Sequence, residues 1–116
     1  MSQMRLGFIG AGNWATANHM PVLSAREDVE MAAVCRLGRA ELNLVQERFG
    51  FSFATEDYQE LLSRSLDGVV ISTPHGLHYE HARAALGCGL HVMVEKPMGL
   101  RAAEAWELVS TADSSR

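Results

Sequence analysis

Leu6-Gly7-Phe8-Ile9-Gly10-Ala11-Gly12-Asn13-Trp14-Ala15 decides how this chain folds, because an apolar run breaks at two glycines and passes directly into a helical pattern. That strand–turn–helix setting raises Gly10-x-Gly12-x-x-Ala15 above a chance spacing. Gly10 permits a tight turn, and Gly12 lacks the Cβ that would block a bound pyrophosphate. Ala15 is small enough for the helix to pack closely on the strand. The helix start then offers free N–H groups and partial positive charge to phosphates. The competing reading is a glycine turn that binds nothing.

Outward from this turn, short apolar strands alternate with helical patterns, as βαβ units of a parallel sheet do. Leu6–Gly10 reads as the first strand, and 14–25 as a helix that Pro21 can kink or end early. Val29–Cys35 is a second strand, apolar through Met31-Ala32-Ala33-Val34 as a strand covered on both faces should be. Leu42, Val45 and Phe49 place one apolar face on a helix over 39–49, with Gly50 as its C-terminal cap. A third strand is expected over 51–54, then a brief helix over 58–63 after Thr55 or Glu56. A fourth strand follows over 68–72, a helix over 78–86, a fifth strand over 91–95, and a last helix over 101–112. Ala105, Leu108 and Val109 share one face of that last helix.

At 116 residues the chain is roughly one domain, with 47% apolar and 21% charged residues and no low-complexity stretch. Its net charge of −4, without a Lys/Arg run, argues against nucleic acid or an anionic membrane as partner. No apolar run approaches the ~20 residues of a membrane helix, and the N-terminus lacks a signal peptide's charged and apolar regions. Cys35 and Cys88 suggest neither a disulfide frame nor a metal site, so a reducing cytoplasm fits best.

The end of the second strand discriminates between dinucleotides. An NAD site normally carries Asp or Glu about 20 residues beyond the glycines to bind the adenosine ribose. Here the segment is Val34-Cys35-Arg36-Leu37-Gly38-Arg39, with arginines in place of a carboxylate. A guanidinium can pair with a 2′-phosphate and stack on adenine, which favours NADP over NAD; two solvated arginines beside a helix start are the alternative. Ser72-Thr73-Pro74 ends the fourth strand near the same crevice, where hydroxyls suit a ribose and phosphate. His75, His78 and His81 invite a metal reading, but no carboxylate or thiolate completes a set, so no metal is expected. His78 reads as a packing or hydrogen-bonding residue near the cofactor. Lys96, in Glu95-Lys96-Pro97, puts an ammonium after the fifth strand, at the sheet edge where such ligands lie; a surface salt bridge is its bland alternative.

Gly10-x-Gly12-x-x-Ala15, Ser72-Thr73-Pro74-His75-x-x-His78 and Glu95-Lys96-Pro97, in this order, resemble the Gfo/Idh/MocA oxidoreductases, the glucose–fructose oxidoreductase and inositol dehydrogenase group. The likeness runs from about Met4 to Leu108 and implies an α/β fold of the Rossmann type, a doubly wound parallel sheet in three α/β/α layers. It implies that residues 1–116 are an NAD(P)-binding domain, truncated before the family's second α/β domain. The activity implied is a dehydrogenase chemistry, NAD(P)-dependent hydride transfer at a hydroxyl or carbonyl carbon of a sugar- or polyol-like substrate, and this piece alone should turn over little. Homo-oligomers are expected through the absent domain. Lys96 matches the family's catalytic-site lysine: it would stabilise or protonate the substrate oxygen. Pro97 would rigidify its turn, and Glu95 could orient the lysine or the cofactor. The candidate cofactor set, from the residues and the resemblance together, is Gly10, Gly12, Asn13, Trp14, Ala15, Arg36, Arg39, Ser72, Thr73, Pro74, His75, His78, Glu95, Lys96 and Pro97. Two departures stand out: Arg36 replaces the family's usual acidic residue, and His75 its usual asparagine. A non-catalytic dinucleotide sensor or regulatory module is the rival reading.

Overall fold

In a computed structural model, the chain is described over residues 3–12, 15–73, 75–94 and 102–114. Five strands form one parallel sheet: β1 (Met4–Ile9), β2 (Val29–Cys35), β3 (Phe53–Thr55), β4 (Gly68–Ile71) and β5 (His91–Val94). Their order is β3-β2-β1-β4-β5, so the chain steps outward from β1 and then crosses back to its other side. Such a reversal leaves a crevice beyond the carboxyl ends of the two central strands, here β1 and β4.

Helices cover both faces, and strand alternation, shifted once by an irregularity of the β1–β2 register at Leu6–Gly7, decides which residues meet which layer. Leu6 and Phe8 of β1, Met31 and Val34 of β2, and Val70 of β4 pack with Met20, Leu42 and Val45 of helices α1 (Met20–Ser24) and α2 (Arg39–Phe49). Ile9, Ala33, Cys35, Val69 and Ile71 point the other way, onto Leu61, Ala82, Ala85 and Leu108. These belong to α3 (Tyr58–Leu62), α4 (His78–Gly87) and α5 (Ala102–Ser114). Phe8 and Phe51 meet edge to face, with ring centroids 5.5 Å apart, and pin the end of α2 to the central strand.

β2 and α2 keep the expected bounds, and Gly50 closes α2 in a left-handed conformation, its N–H bonded to the Gln46 carbonyl. Elsewhere the boundaries move for local reasons. Pro21 has no N–H and its ring crowds the preceding turn, so one regular helix over 14–25 does not form. Instead a wider-wound turn over Ala15–His19 precedes α1, which carries the proline in its first turn. β3 begins two residues later than expected, because the Phe51 N–H is bonded to the Gln46 carbonyl at the end of α2. α3 is capped by Asp57, whose carboxylate accepts the Gln59 N–H at 2.9 Å, rather than by Thr55 or Glu56. On α5, Leu108 is buried, whereas Val109 and Trp106 face outward.

Candidate dinucleotide site

The crevice is built first by backbone. Gly10 leaves β1 with φ of +95°, and a Cβ there would stand 2.5 Å from the Ser72 carbonyl oxygen. Both the dihedral and the contact demand glycine. Its N–H is bonded to the Cys35 carbonyl at 2.8 Å, while the Ser72 N–H reaches the Ile9 carbonyl at 2.9 Å. The turn is thus held between β2 and β4. Among the described residues, nothing lies within 4 Å of where a Cβ on Gly12 would sit, so the turn faces open space. Ala15, fully buried, lets the following turn settle on the sheet.

That space is a groove of about 430 Å³, within the range of small-molecule sites. Gly10, Ala11 and Gly12 form its floor, Ser72, Thr73 and His81 one end, and Arg36, Leu37 and Glu56 the other. Glycine backbone facing an open groove, with hydroxyls at one end and cations at the other, fits a dinucleotide: a pyrophosphate over the turn, the adenosine side toward Arg36.

At the end formed after β2 and β3, Arg36 is half-buried and turned back over the glycines. Its Nη1 donates to the Ala11 carbonyl at 3.1 Å and its Nε to the Leu37 carbonyl at 2.9 Å. Arg39 is exposed and lies against Glu56, Nε to Oε1 3.9 Å. The other Glu56 oxygen accepts the Gly38 N–H at 2.9 Å. Cys35 lies beneath, its thiol pushed up to about 11 by burial and by the Asp57 and Glu56 carboxylates. It is a protonated apolar wall, not a nucleophile.

At the other end, two histidines one turn apart on α4 hold Thr73. The Nε2–H of His78 donates to the Thr73 carbonyl at 2.6 Å, and His81 Nδ1 lies 3.1 Å from the Thr73 hydroxyl. The Tyr58 ring rests on His81 with centroids 4.4 Å apart, and its hydroxyl donates to Glu80. Burial, helped by neighbouring His78 and opposed by Glu80, holds the His81 imidazole below its ordinary pKa.

The structure therefore brings together Gly10, Gly12, Arg36, Ser72 and Thr73 around one groove, with Ala15 and His78 supporting it and Arg39 on its rim. His75 lies in the short turn over His75–Leu77 that enters α4. Asn13, Trp14, Pro74, Glu95, Lys96 and Pro97 lie outside the described residues. β5 ends with Val94 paired to Ile71, at the carboxyl ends of the strands. Sequence reading missed Glu56 and Tyr58 as groove residues and took His81 only as a rejected metal ligand. The signal for Glu56 was its place just after a strand: the end of β3 lies beside the end of β2 in such a sheet. Among the described residues, no three His, Cys, Asp or Glu side chains come together in a way that could hold a metal ion. No helix among them is long and apolar enough to cross a membrane.

Comparison with known proteins gives one family, whose members carry both dehydrogenase and hydrolase names. A glycosyl hydrolase family 109 protein of Shewanella putrefaciens is 35% identical over 126 residues, covering 100% of this chain and 27% of that protein. The family model GFO_IDH_MocA, described as an oxidoreductase family with an NAD-binding Rossmann fold, matches residues 4–116. The D-glucoside 3-dehydrogenase of Escherichia coli is 36% identical over 112 residues, which cover 96% of this chain and 32% of that protein. The 3-ketoreductase KijD10 of Actinomadura kijaniata, solved with NADP, superposes with a TM-score of 0.92 at 31% identity, covering 98% of this chain and 36% of the other. The WlbA dehydrogenase of Chromobacterium violaceum, solved with NADH and UDP-GlcNAcA, gives 0.91 at 30% identity, covering 99% and 33%. The chain thus spans about a third of the length of the relatives it matches.

Proposed function

The chain belongs to the Gfo/Idh/MocA oxidoreductase family, and from that premise we propose that residues 1–116 form the NAD(P)-binding domain of a sugar or polyol dehydrogenase. One observation supports the reading: Ile9, just before the glycine turn, is hydrogen-bonded to Ser72 at the strand-order reversal, so that the turn and Ser72–Thr73 line one open groove. A bound nicotinamide dinucleotide would supply the hydride acceptor or donor for a CH–OH or carbonyl carbon. The chain's own residues do the rest. Backbone N–H groups after Gly12 would hold the pyrophosphate, and Ser72 and Thr73 the nicotinamide side. Lys96 would act on the substrate oxygen, where an ammonium stabilises an alkoxide or relays its proton.

Arg36 and Arg39 favour NADP, since a guanidinium meets a 2′-phosphate in a fork geometry that a ribose hydroxyl does not exploit. Titrating this chain with NADP and with NAD tests the assignment. Arg36→Asp is expected to weaken NADP by about tenfold more than NAD. Equal affinities before and after the substitution would refute the role given to Arg36.

A further inference from the structure

The second strand of this domain ends without a carboxylate, yet the groove beside it has one. Glu56 reaches in from the end of β3 and lines the same space as Gly10, Arg36 and Leu37. It has two distinct engagements. One oxygen accepts the Gly38 N–H at 2.9 Å, fixing the β2–α2 turn where Gly38 adopts φ of +94°. The other faces the Arg39 guanidinium at 3.9 Å. Glu41 is close on the other side of Gly38: a Cβ built on that glycine would stand 2.8 Å from its carboxylate and 4.0 Å from an Arg36 guanidinium nitrogen. Two carboxylates and two arginines therefore lie around the turn.

That arrangement changes what the cations can do. A lone arginine pair would present undivided positive charge to a 2′-phosphate. Here Arg36 has two of its five N–H donors on backbone carbonyls, and Arg39 faces Glu56. A phosphate entering the turn meets the Glu56 charge and competes with it for Arg39. A ribose without the phosphate meets the opposite situation, because its hydroxyls are donors and a carboxylate is an acceptor.

Building on the dinucleotide reading above, we propose that Glu56 is a specificity-determining residue: supplied by β3 instead of β2, it keeps NAD admissible in a site whose arginines otherwise select NADP. The carboxylate accepts from the adenosine ribose hydroxyls of NAD and repels the 2′-phosphate of NADP. Its bond to Gly38 sets the turn so that both effects act at the same place.

The test is a titration of this 116-residue chain with NADP and with NAD, followed by calorimetry, for the parent and for Glu56→Gln. Glutamine keeps a carbonyl oxygen for the Gly38 N–H and removes only the charge. The preference for NADP over NAD should rise about threefold to tenfold, with NADP tightening and NAD weakening. That rise should shrink as salt is added. Glu56→Ala, which also releases Gly38, should shift the preference in the same direction while lowering the melting temperature. An unchanged ratio in Glu56→Gln, with both dinucleotides still bound, overturns the role of Glu56 and leaves the dinucleotide reading intact. Failure of the parent chain to bind either dinucleotide at millimolar concentration overturns both.

Discussion

His81 shows how much a single side chain's surroundings decide. Its ring is buried between Thr73 and Tyr58, with His78 and Glu80 beside it on the same helix. Burial lowers its pKa from the ordinary value of 6.5, so the folded protein resists a proton that the unfolded chain accepts. The sign follows: the stabilising effect is complete above that ordinary value and is lost as the pH falls toward the lowered one. Thermal melts between about pH 8 and pH 5 should therefore show a destabilisation on acidification that His81→Gln reduces. Identical pH dependence in the two proteins would contradict this. The sequence displayed three histidines at suggestive spacing, but not that two of them serve one threonine. Pairing of that kind depends on where the loop after β4 lies against α4, which spacing alone does not encode.

Among the elements, those fixed by local rules were legible and those fixed by neighbours were not. α2 has its apolar positions at helical spacing and a glycine stop, and it runs where those signals place it. The third strand starts late because Phe51 serves Phe8 and the end of α2 before the chain can pair with β2. α3 illustrates the same point at its start, where Asp57 and not an adjacent residue receives the Gln59 N–H. This five-residue helix cannot rely on length for stability, and it lies against β1, β2 and β3. Asp57→Ala should cost about 1 kcal/mol in urea denaturation. A loss near zero would mean that packing of Leu61 alone holds the helix.

For the whole molecule, the parallel sheet and its two covered faces followed from the sequence pattern, because period and turn residues specify strand and helix independently of distant contacts. The site was half legible. The glycine turn, Arg36 and the Ser72–Thr73 corner announce themselves by motif, whereas Glu56 enters only through sheet order. Lys96 follows β5, whose last pair, Val94 with Ile71, brings the chain to the carboxyl edge where the groove opens. The proposed division of labour gives a clear outcome. In a polypeptide of the relatives' length carrying this domain, Lys96→Ala should abolish turnover by about a hundredfold or more while dinucleotide affinity stays within about threefold. Turnover retained in the variant would remove Lys96 from the chemistry, whereas no turnover in the parent would favour a sensing or regulatory module.

The bridge from Arg36 to the Ala11 carbonyl has a practical corollary for anyone redesigning coenzyme choice. In the proposed site one guanidinium would both discriminate at the sugar and brace the loop beneath the diphosphate, so selectivity and tightness would be mechanically linked. A charge-preserving lysine would keep the attraction and lose the forked brace. Swapping the arginine by itself therefore loosens whichever coenzyme is wanted. A useful redesign must rebuild that strut from a second position.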